Sequence, residues 1–452
     1  MTIRPTVMDD LERRVGGDVV RPDGSRYEEL RRTFNAMIDR HPDVIVRPVD
    51  TEDVATAVRW AADQRMPISV RGGGHSVAGH GVGDGALMLD LGEMRSVSVD
   101  PTARTAEVGG GALLDDLDRA TTAHGLAAPS GTFSETGVGG LTLTGGISFL
   151  LGVSGLACDA LIGAELVTAD GSIHQVDDGS DPELLWALRG GGGNFGVVSR
   201  FRFALRPLES VVGGRIAFRA SAVPDMLERL FDVPRSDPDE FTIQAVLVRR
   251  EELGGLAVVI LGAWVGEPSR AEAVWGPFRN RSEVIQDGIG PMSYLDLQAM
   301  GTRMGSAYRH YWKGHFVREA PAALRGVVMA AHEASTSLGG ILIEPIHGEA
   351  HRIADHHAAF GARAAVANIS ALAIWDRPED DERHVGWARA TATSLEPYSL
   401  RGAGYLNYAP ADETASRVEL AFGAERFARL RAVKRRCDPD NLFRFNANIP
   451  PA

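Results

Sequence analysis

Pro67-Ile68-Ser69-Val70-Arg71-Gly72-Gly73-Gly74-His75-Ser76 reads as a short strand that runs directly into three glycines and a histidine. Successive backbone N–H groups in tight turns form an anion nest, and glycine lets that backbone touch a phosphate. The stretch matches neither Gly-x-Gly-x-x-Gly opening a helix nor a loop ending in Gly-Lys-Ser/Thr. A Rossmann dinucleotide site and a P-loop are therefore unsupported. Just upstream, 44–48 reads as a buried strand. Thr51-Glu52-Asp53 then caps a helix to about residue 64, with Val54, Ala57, Val58 and Ala61 on one face. The order is strand, helix, strand, glycine loop.

Working outward, the chain has 452 residues, of which 52 are glycine, and these cluster at 72–74, 109–111, 137–146 and 190–193. Residues 1–40 read as a helical entry segment. Strands are expected at 86–90, 105–108, 161–168, 173–176 and 197–205, with helices at 112–124 and 182–188. After Pro207 the glycine clusters stop. Longer strands follow at 241–249, 256–265, 340–346 and 366–375, with helical stretches such as 223–231 between them. This pattern predicts an antiparallel sheet with helices on one face. A last helix covers 425–436. The fold class is α+β, with a second domain starting at 207.

The net charge of −13 disfavours a nucleic-acid partner. The two cysteines, Cys158 and Cys437, cannot build a disulfide framework. The first residues carry no apolar core of a secretory signal, and no apolar run is long enough for a bilayer. The expectation is a soluble cytoplasmic protein without a membrane partner. The sequence does not give its oligomeric state.

Further motifs occur in a fixed order: Thr136-Gly-Val-Gly-Gly140 with Gly145-Gly146, Gly155-Leu-Ala-Cys-Asp159, Ala164-Glu-Leu-Val-Thr-Ala-Asp-Gly171 and Leu185-Trp-Ala-Leu-Arg-Gly-Gly-Gly-Gly-Asn-Phe-Gly-Val-Val198. Asp438-Pro-Asp-Asn-Leu-Phe443 and Asn448-Ile-Pro-Pro451 close the chain. With Arg71–Ser76, this set resembles the berberine-bridge-enzyme-like FAD-linked oxidases of the vanillyl-alcohol oxidase and p-cresol methylhydroxylase superfamily, over nearly the whole chain. The resemblance implies a discontinuous PCMH-type FAD-binding domain of residues 1–206 and 404–452. A substrate domain, 207–403, would roof the flavin ring with its sheet. It implies cofactor contacts from Arg71, Gly72, Gly73, Gly74, His75 and Ser76, and from Ser130, Gly131 and Thr132. Thr136, Gly137, Gly139, Gly140, Leu141, Gly145, Gly146, Gly155, Val197, Asn446 and Asn448 complete that set.

In such proteins the histidine of the glycine motif, here His75, is bonded to the flavin 8α-methyl group. Doubly linked members add a cysteine bond from a Gly-Thr-Cys triplet, which here is Gly131-Thr132-Phe133. Cys158 lies in a later segment and reads as a buried small hydrophobe. The resemblance therefore implies FAD held by His75 alone, as in singly linked bacterial members.

For the chemistry, Gly404-Tyr405-Leu406-Asn407-Tyr408 resembles the family's Tyr-x-Asn motif. If it is extended, Tyr405 and Asn407 share a face and Tyr408 points the other way. Tyr405 is then either a base or a packing residue, and as a base it needs positive charge or strong donors nearby. Pocket-wall candidates are Gln244, on one face with Thr242 and Val246, together with Tyr311, Lys313 and Glu344. Glu344 either orients an amine or hydroxyl or pairs with an arginine. His347, Glu349, His351, His356 and His357 raise a metal reading, but Gly348 argues for a loop and the family uses none. Thr136 and Leu141 fit a role in oxygen access. The expected activity is hydride removal from a C–O(H) or C–N carbon of a small molecule, with dioxygen as acceptor. Monooxygenation, oxidative cyclisation and a turnover-deficient flavin binder are the alternatives.

Overall fold

A computed structural model describes residues 5–236, 238–301, 307–335 and 338–452. The opening strand–helix–strand is the heart of a four-stranded sheet. Val44–Arg47, Leu87–Asp90 and Ile68–Arg71 are parallel neighbours, and Asp18–Val20 adds an antiparallel edge. The crossover helix, Thr51–Asp63, is capped by Asp50, whose carboxylate accepts from the Asp53 N–H at 2.9 Å. The cap thus falls one residue before the predicted triplet. Asp53 is instead spent on the N-terminal segment, accepting from the N–H groups of Gly16 and Gly17 at 2.7 and 2.9 Å.

Among its described residues, the predicted helical entry is helical at Pro5–Arg14 and Tyr27–Leu30, with a short strand at Asp18–Val20 between them. Beyond it the chain is held by long-range contacts. The Asn35 amide donates to the carbonyls of Val77 and His310 at 2.7 and 2.8 Å, and the Phe34 N–H donates to the Gly74 carbonyl.

A second, antiparallel sheet takes the order Val97–Asp100, Thr105–Gly109, Val197–Ala204, Leu161–Val167, Ile173–Asp177. The residues after Pro207 form an eight-stranded sheet whose paired strands are all antiparallel. Seven strands run Val284–Asp287, Val211–Arg219, Gly255–Trp264, Phe241–Arg250, Gly340–Pro345, Ala367–Trp375 and Arg309–Val317, and Gly290–Met292 pairs with the second. The helices Val223–Ser236, Ala322–Glu333 and Asp381–Leu395 contact this sheet. They leave Gln244, Leu261, Leu342 and Trp312 on a face that lines a cavity.

The C-terminal helix, Ala424–Cys437, returns the chain to the first half. Lys434 is fully buried and donates to the carbonyls of Asn194 and Phe443 at 2.8 and 2.9 Å and to the Asp438 carboxylate at 2.6 Å. Asp438 also accepts from the Leu442 and Phe443 N–H groups. The side chain of Asn194 ties the final residues down, accepting from the Ile449 N–H at 2.9 Å.

Candidate active site

Glycine lines a long cavity between the first two sheets, with about 1660 Å³ of open space including its mouth. Gly72–Gly74 enter from the Ile68–Arg71 strand, Gly137, Gly139 and Gly140 from the start of the Val138–Leu143 helix, and Gly191–Gly193 from the turn after Leu188. Phe443, Phe445 and Asn446 close it from the C-terminal segment.

The glycines do two jobs. At Gly140 and Gly193 an added Cβ would meet nothing within 4 Å. Gly73 and Gly137 instead let two loops touch, because a Cβ on Gly73 would lie 2.5 Å from the Gly137 nitrogen. Gly109–Gly111 likewise press on strand and loop backbone, where Cβ atoms would come 1.8–2.4 Å from carbonyl oxygens of Met94, Val198 and Leu91. A slot lined by so much glycine backbone, with the buried Asn446 Oδ1 lacking a partner among the described residues, fits a dinucleotide with a pyrophosphate.

A second cavity lies under the eight-stranded sheet. The two meet at five shared residues: His75, Thr132, Phe133, Trp312 and Tyr408. The His75 ring stacks on Phe34 with centroids 4.0 Å apart, and Phe34 stacks on His310 at 4.1 Å. Burial lowers the pKa of His75 to about 4, so its imidazole is neutral. His310 is also neutral, pushed down to about 3 by burial first and His75 second. Its ring nitrogens have no partner among the described residues.

Tyr405, Leu406 and Asn407 line the glycine-walled cavity with Tyr408. The segment is not extended: Leu406–Tyr408 is a 3-10 turn. This corrects the expected strand geometry. The Tyr405 oxygen accepts from the Gly146 N–H at 2.7 Å and the Asn407 amide at 2.8 Å. Asn407 also donates to the Leu141 carbonyl and accepts from the Thr144 hydroxyl. Burial outweighs those donors and holds the Tyr405 phenol well above its ordinary pKa. Glu344 pushes the same way. Tyr408 turns toward the second cavity, with its ring 4.9 Å from Tyr405 and 5.4 Å from Trp312.

Glu344 is 1% exposed and pairs with no arginine among the described residues. Its carboxyl group accepts from the Tyr408 hydroxyl at 3.0 Å and the Asn368 amide at 2.7 Å. Burial raises its pKa to about 7. It lines neither cavity directly and reaches their junction through Tyr408.

Of the other expected wall residues, Gln244 lines the second cavity, but Tyr311 and Lys313 do not. They lie on the opposite face of the Arg309–Val317 strand. There the Tyr311 hydroxyl donates to Asp412 at 3.0 Å and Lys313 to Glu413 at 3.3 Å. The residue between them, Trp312, faces the cavity, as does His310.

Among the expected cofactor contacts, Arg71, Gly72, Gly73, Gly74, His75, Ser76, Thr132, Thr136, Gly137, Gly139, Gly140, Leu141 and Asn446 line the glycine-walled cavity. Ser130, Gly131, Gly145, Gly146, Gly155, Val197 and Asn448 do not. The Ser130 hydroxyl turns to Asp118, Gln298 and Tyr294. Gly131 packs on Leu114 and Leu141, and Gly146 on Ala157. Cys158 is fully buried in an apolar cluster with Leu151, Phe316 and Tyr405, and burial pushes its thiol up. The histidine-rich stretch does not converge: His347 meets the Thr242 hydroxyl and His351 the Ala365 carbonyl. Among the described residues no group of His, Cys, Asp or Glu is placed to hold a metal, and no helix is long and apolar enough to cross a membrane.

Comparison with known proteins gives an FAD binding domain at residues 42–177 and a berberine and berberine-like segment at 404–450. The (R)-6-hydroxynicotine oxidase of Paenarthrobacter nicotinovorans is 31% identical over 453 residues, covering 97% of each chain. A glucooligosaccharide oxidase of Sarocladium strictum is 45% identical over 173 residues, 38% of this chain and 34% of that one. The crystal structure of 6-hydroxy-D-nicotine oxidase from Arthrobacter nicotinovorans matches with a TM-score of 0.88 at 30% identity, over 97% of this chain and 98% of that one.

Proposed function

The chain belongs to the berberine-bridge-enzyme-like FAD-linked oxidoreductases, and on that premise we propose that it is an oxidase of a small organic molecule with His75 as the only covalent anchor of FAD. The observation that carries this reading is the meeting of the two cavities at His75, Thr132, Phe133, Trp312 and Tyr408. FAD, when bound, supplies the acceptor for a hydride from a C–O(H) or C–N carbon and a route for two electrons to dioxygen. Residues 1–206 and 404–452 hold it, and residues 207–403 enclose the substrate.

A neutral imidazole has a lone pair for bond formation, and burial keeps His75 in that state. Phe34 fixes the plane of the ring. Phe133 stands where a second anchor would sit, while Cys158 lines neither cavity.

The substrate proton leaves through Tyr408 rather than through a Tyr405 phenolate. As the Tyr408 oxygen takes a proton from the substrate hydroxyl or amine, its own hydrogen passes to Glu344 Oε1 along the 3.0 Å hydrogen bond. A carboxyl group with a pKa of about 7 is matched to that task near neutrality. Tyr405 stays a neutral phenol, and with both donors on its oxygen its hydrogen remains to orient substrate.

The test is to photoreduce the flavin without oxygen, admit air and assay peroxide. Rapid reoxidation with one peroxide per flavin is expected. Slow reoxidation would make the protein a dehydrogenase, and missing peroxide would make it a monooxygenase.

A further inference from the structure

The sheet face over the second cavity is largely apolar, formed by Val246, Val259, Leu261, Leu342 and Ile374. Polar residues also line it, among them Arg250, Gln286 and His310, and two more stand in one row. Gln244 pairs directly across from Leu261, and Leu261 pairs directly across from Arg215. The Gln244 and Arg215 backbones are thus two strand spacings apart, about 10 Å, and both side chains can reach a group lying over Leu261.

Gln244 is only 8% exposed and lines the cavity, yet its amide makes no hydrogen bond to the described residues. The Arg215 guanidinium has no carboxylate partner among them. The amide is not sealed in the core but faces the open space of the cavity, where a ligand can meet it.

We propose that Arg215 and Gln244 form a recognition row for a planar, largely apolar substrate that carries an anionic oxygen, such as an aromatic carboxylate or phenolate. Arg215 neutralises the charge, and the Gln244 amide donates to the same group. The apolar residues between and beside them cover the ring system.

The other charges in the cavity do not favour a cation. Glu344 lies behind the wall, engaged by Tyr408 and Asn368, and of the other charged residues that line the cavity Glu135 and Glu252 lie at the exposed rim while Arg250 donates to the carbonyls of Arg249 and Leu338. The inference rests on the oxidase reading, since it concerns the substrate of that same site.

The test uses purified yellow holoprotein and follows the shift of the flavin spectrum with three probes: naphthoate, naphthylmethanol and naphthylmethylammonium. Naphthoate is expected to bind about tenfold or more tightly than the ammonium probe. Because Arg215 is exposed, that advantage should shrink with salt. Arg215→Gln should weaken naphthoate about tenfold and leave naphthylmethanol within about twofold. Gln244→Leu should weaken naphthoate about fivefold. Tighter ammonium binding, an unchanged Arg215→Gln variant, or no binding of any probe would overturn the row. Protein purified without flavin would overturn the oxidase reading instead, and that is seen before any titration.

Discussion

The two cavities that meet at His75 are built from different material. The glycine-walled side, proposed for the cofactor, exposes backbone at many points. Its loops approach so closely that Gly73 and Gly137 leave no room for a Cβ, and its floor is locked by the buried Lys434–Asp438 pair. The second cavity, proposed for the substrate, is walled by side chains that project from a sheet. A backbone cradle fixes one ligand, whereas a side-chain wall fixes little beyond polarity and size. Mutations should therefore act in an all-or-none way on the first side and in degrees on the second.

The largest expected effect is at the seam. Acid-precipitated wild-type protein should stay yellow. His75→Ala should release the colour completely, while Cys158→Ala should not, as read by flavin absorbance in the pellet. Colour retained in His75→Ala would remove the single-anchor assignment.

Next comes the floor of the cofactor side. Lys434→Met leaves the Asp438 carboxylate buried without its cation, and removing one partner of such a pair costs about 3–5 kcal/mol. Burial already pushes the Lys434 pKa down, so the pair holds its charge only through these close partners. A matching fall in unfolding free energy, with poorer flavin retention, is expected from denaturant titration. A loss of under about 1 kcal/mol would show that the C-terminal segment docks by other means.

Glu344→Gln tests the sheet side in two ways. The wild-type carboxyl group has a pKa raised from 4.5 to about 7. Between those values the unfolded chain is ionised while the folded chain keeps its proton, so rising pH destabilises the fold, by about 3 kcal/mol in all. The variant should lose that portion of the slope. The buried Asp118, raised to about 7 by burial, contributes a slope of the same sign and remains in the variant. In stopped-flow reduction, the wild-type rate should rise as pH passes about 7. The variant should be flat and about 100-fold slower. An unchanged pH profile would return the base to Tyr405.

The same contrast explains what could be read in the sequence. Glycine clusters and their flanking residues are local patterns tied to backbone shape, so the loop at Gly72–His75 and most of the residues that line the glycine-walled cavity were legible. Ser130 and Val197 were not separable from them, because which way a side chain turns depends on neighbours far along the chain. Tyr405 and Asn407 were legible as a pair but not in shape. Alternation assumed a strand, whereas the contacts of Asn407 with Leu141 and Thr144 pin a tight turn. Phe34 left no signal at all, because its role comes from standing between His75, in the loop after the Ile68–Arg71 strand, and His310, in a strand of the eight-stranded sheet.

Tyr311-Trp312-Lys313 is the sharpest case, and it sets the smallest effect. All three residues are bulky, and alternation says only that the middle one faces away from its neighbours. The side that meets the cavity is decided by the helix Asp381–Leu395, which contacts this strand, and by Asp412 and Glu413, which bond Tyr311 and Lys313. Tyr311→Phe removes a hydroxyl that donates to Asp412 and accepts from Arg389 at 3.1 Å. The pair left behind, Arg389 and Asp412, is largely exposed, so the stability loss should stay near 1 kcal/mol. The affinity for a substrate-cavity probe should stay within about twofold, because the lost oxygen lies across the sheet from it. Trp312→Phe, one residue away, should change that affinity several-fold, because this ring faces both cavities. Equal effects from the two variants would mean that the sheet does not separate its faces in the way its register requires.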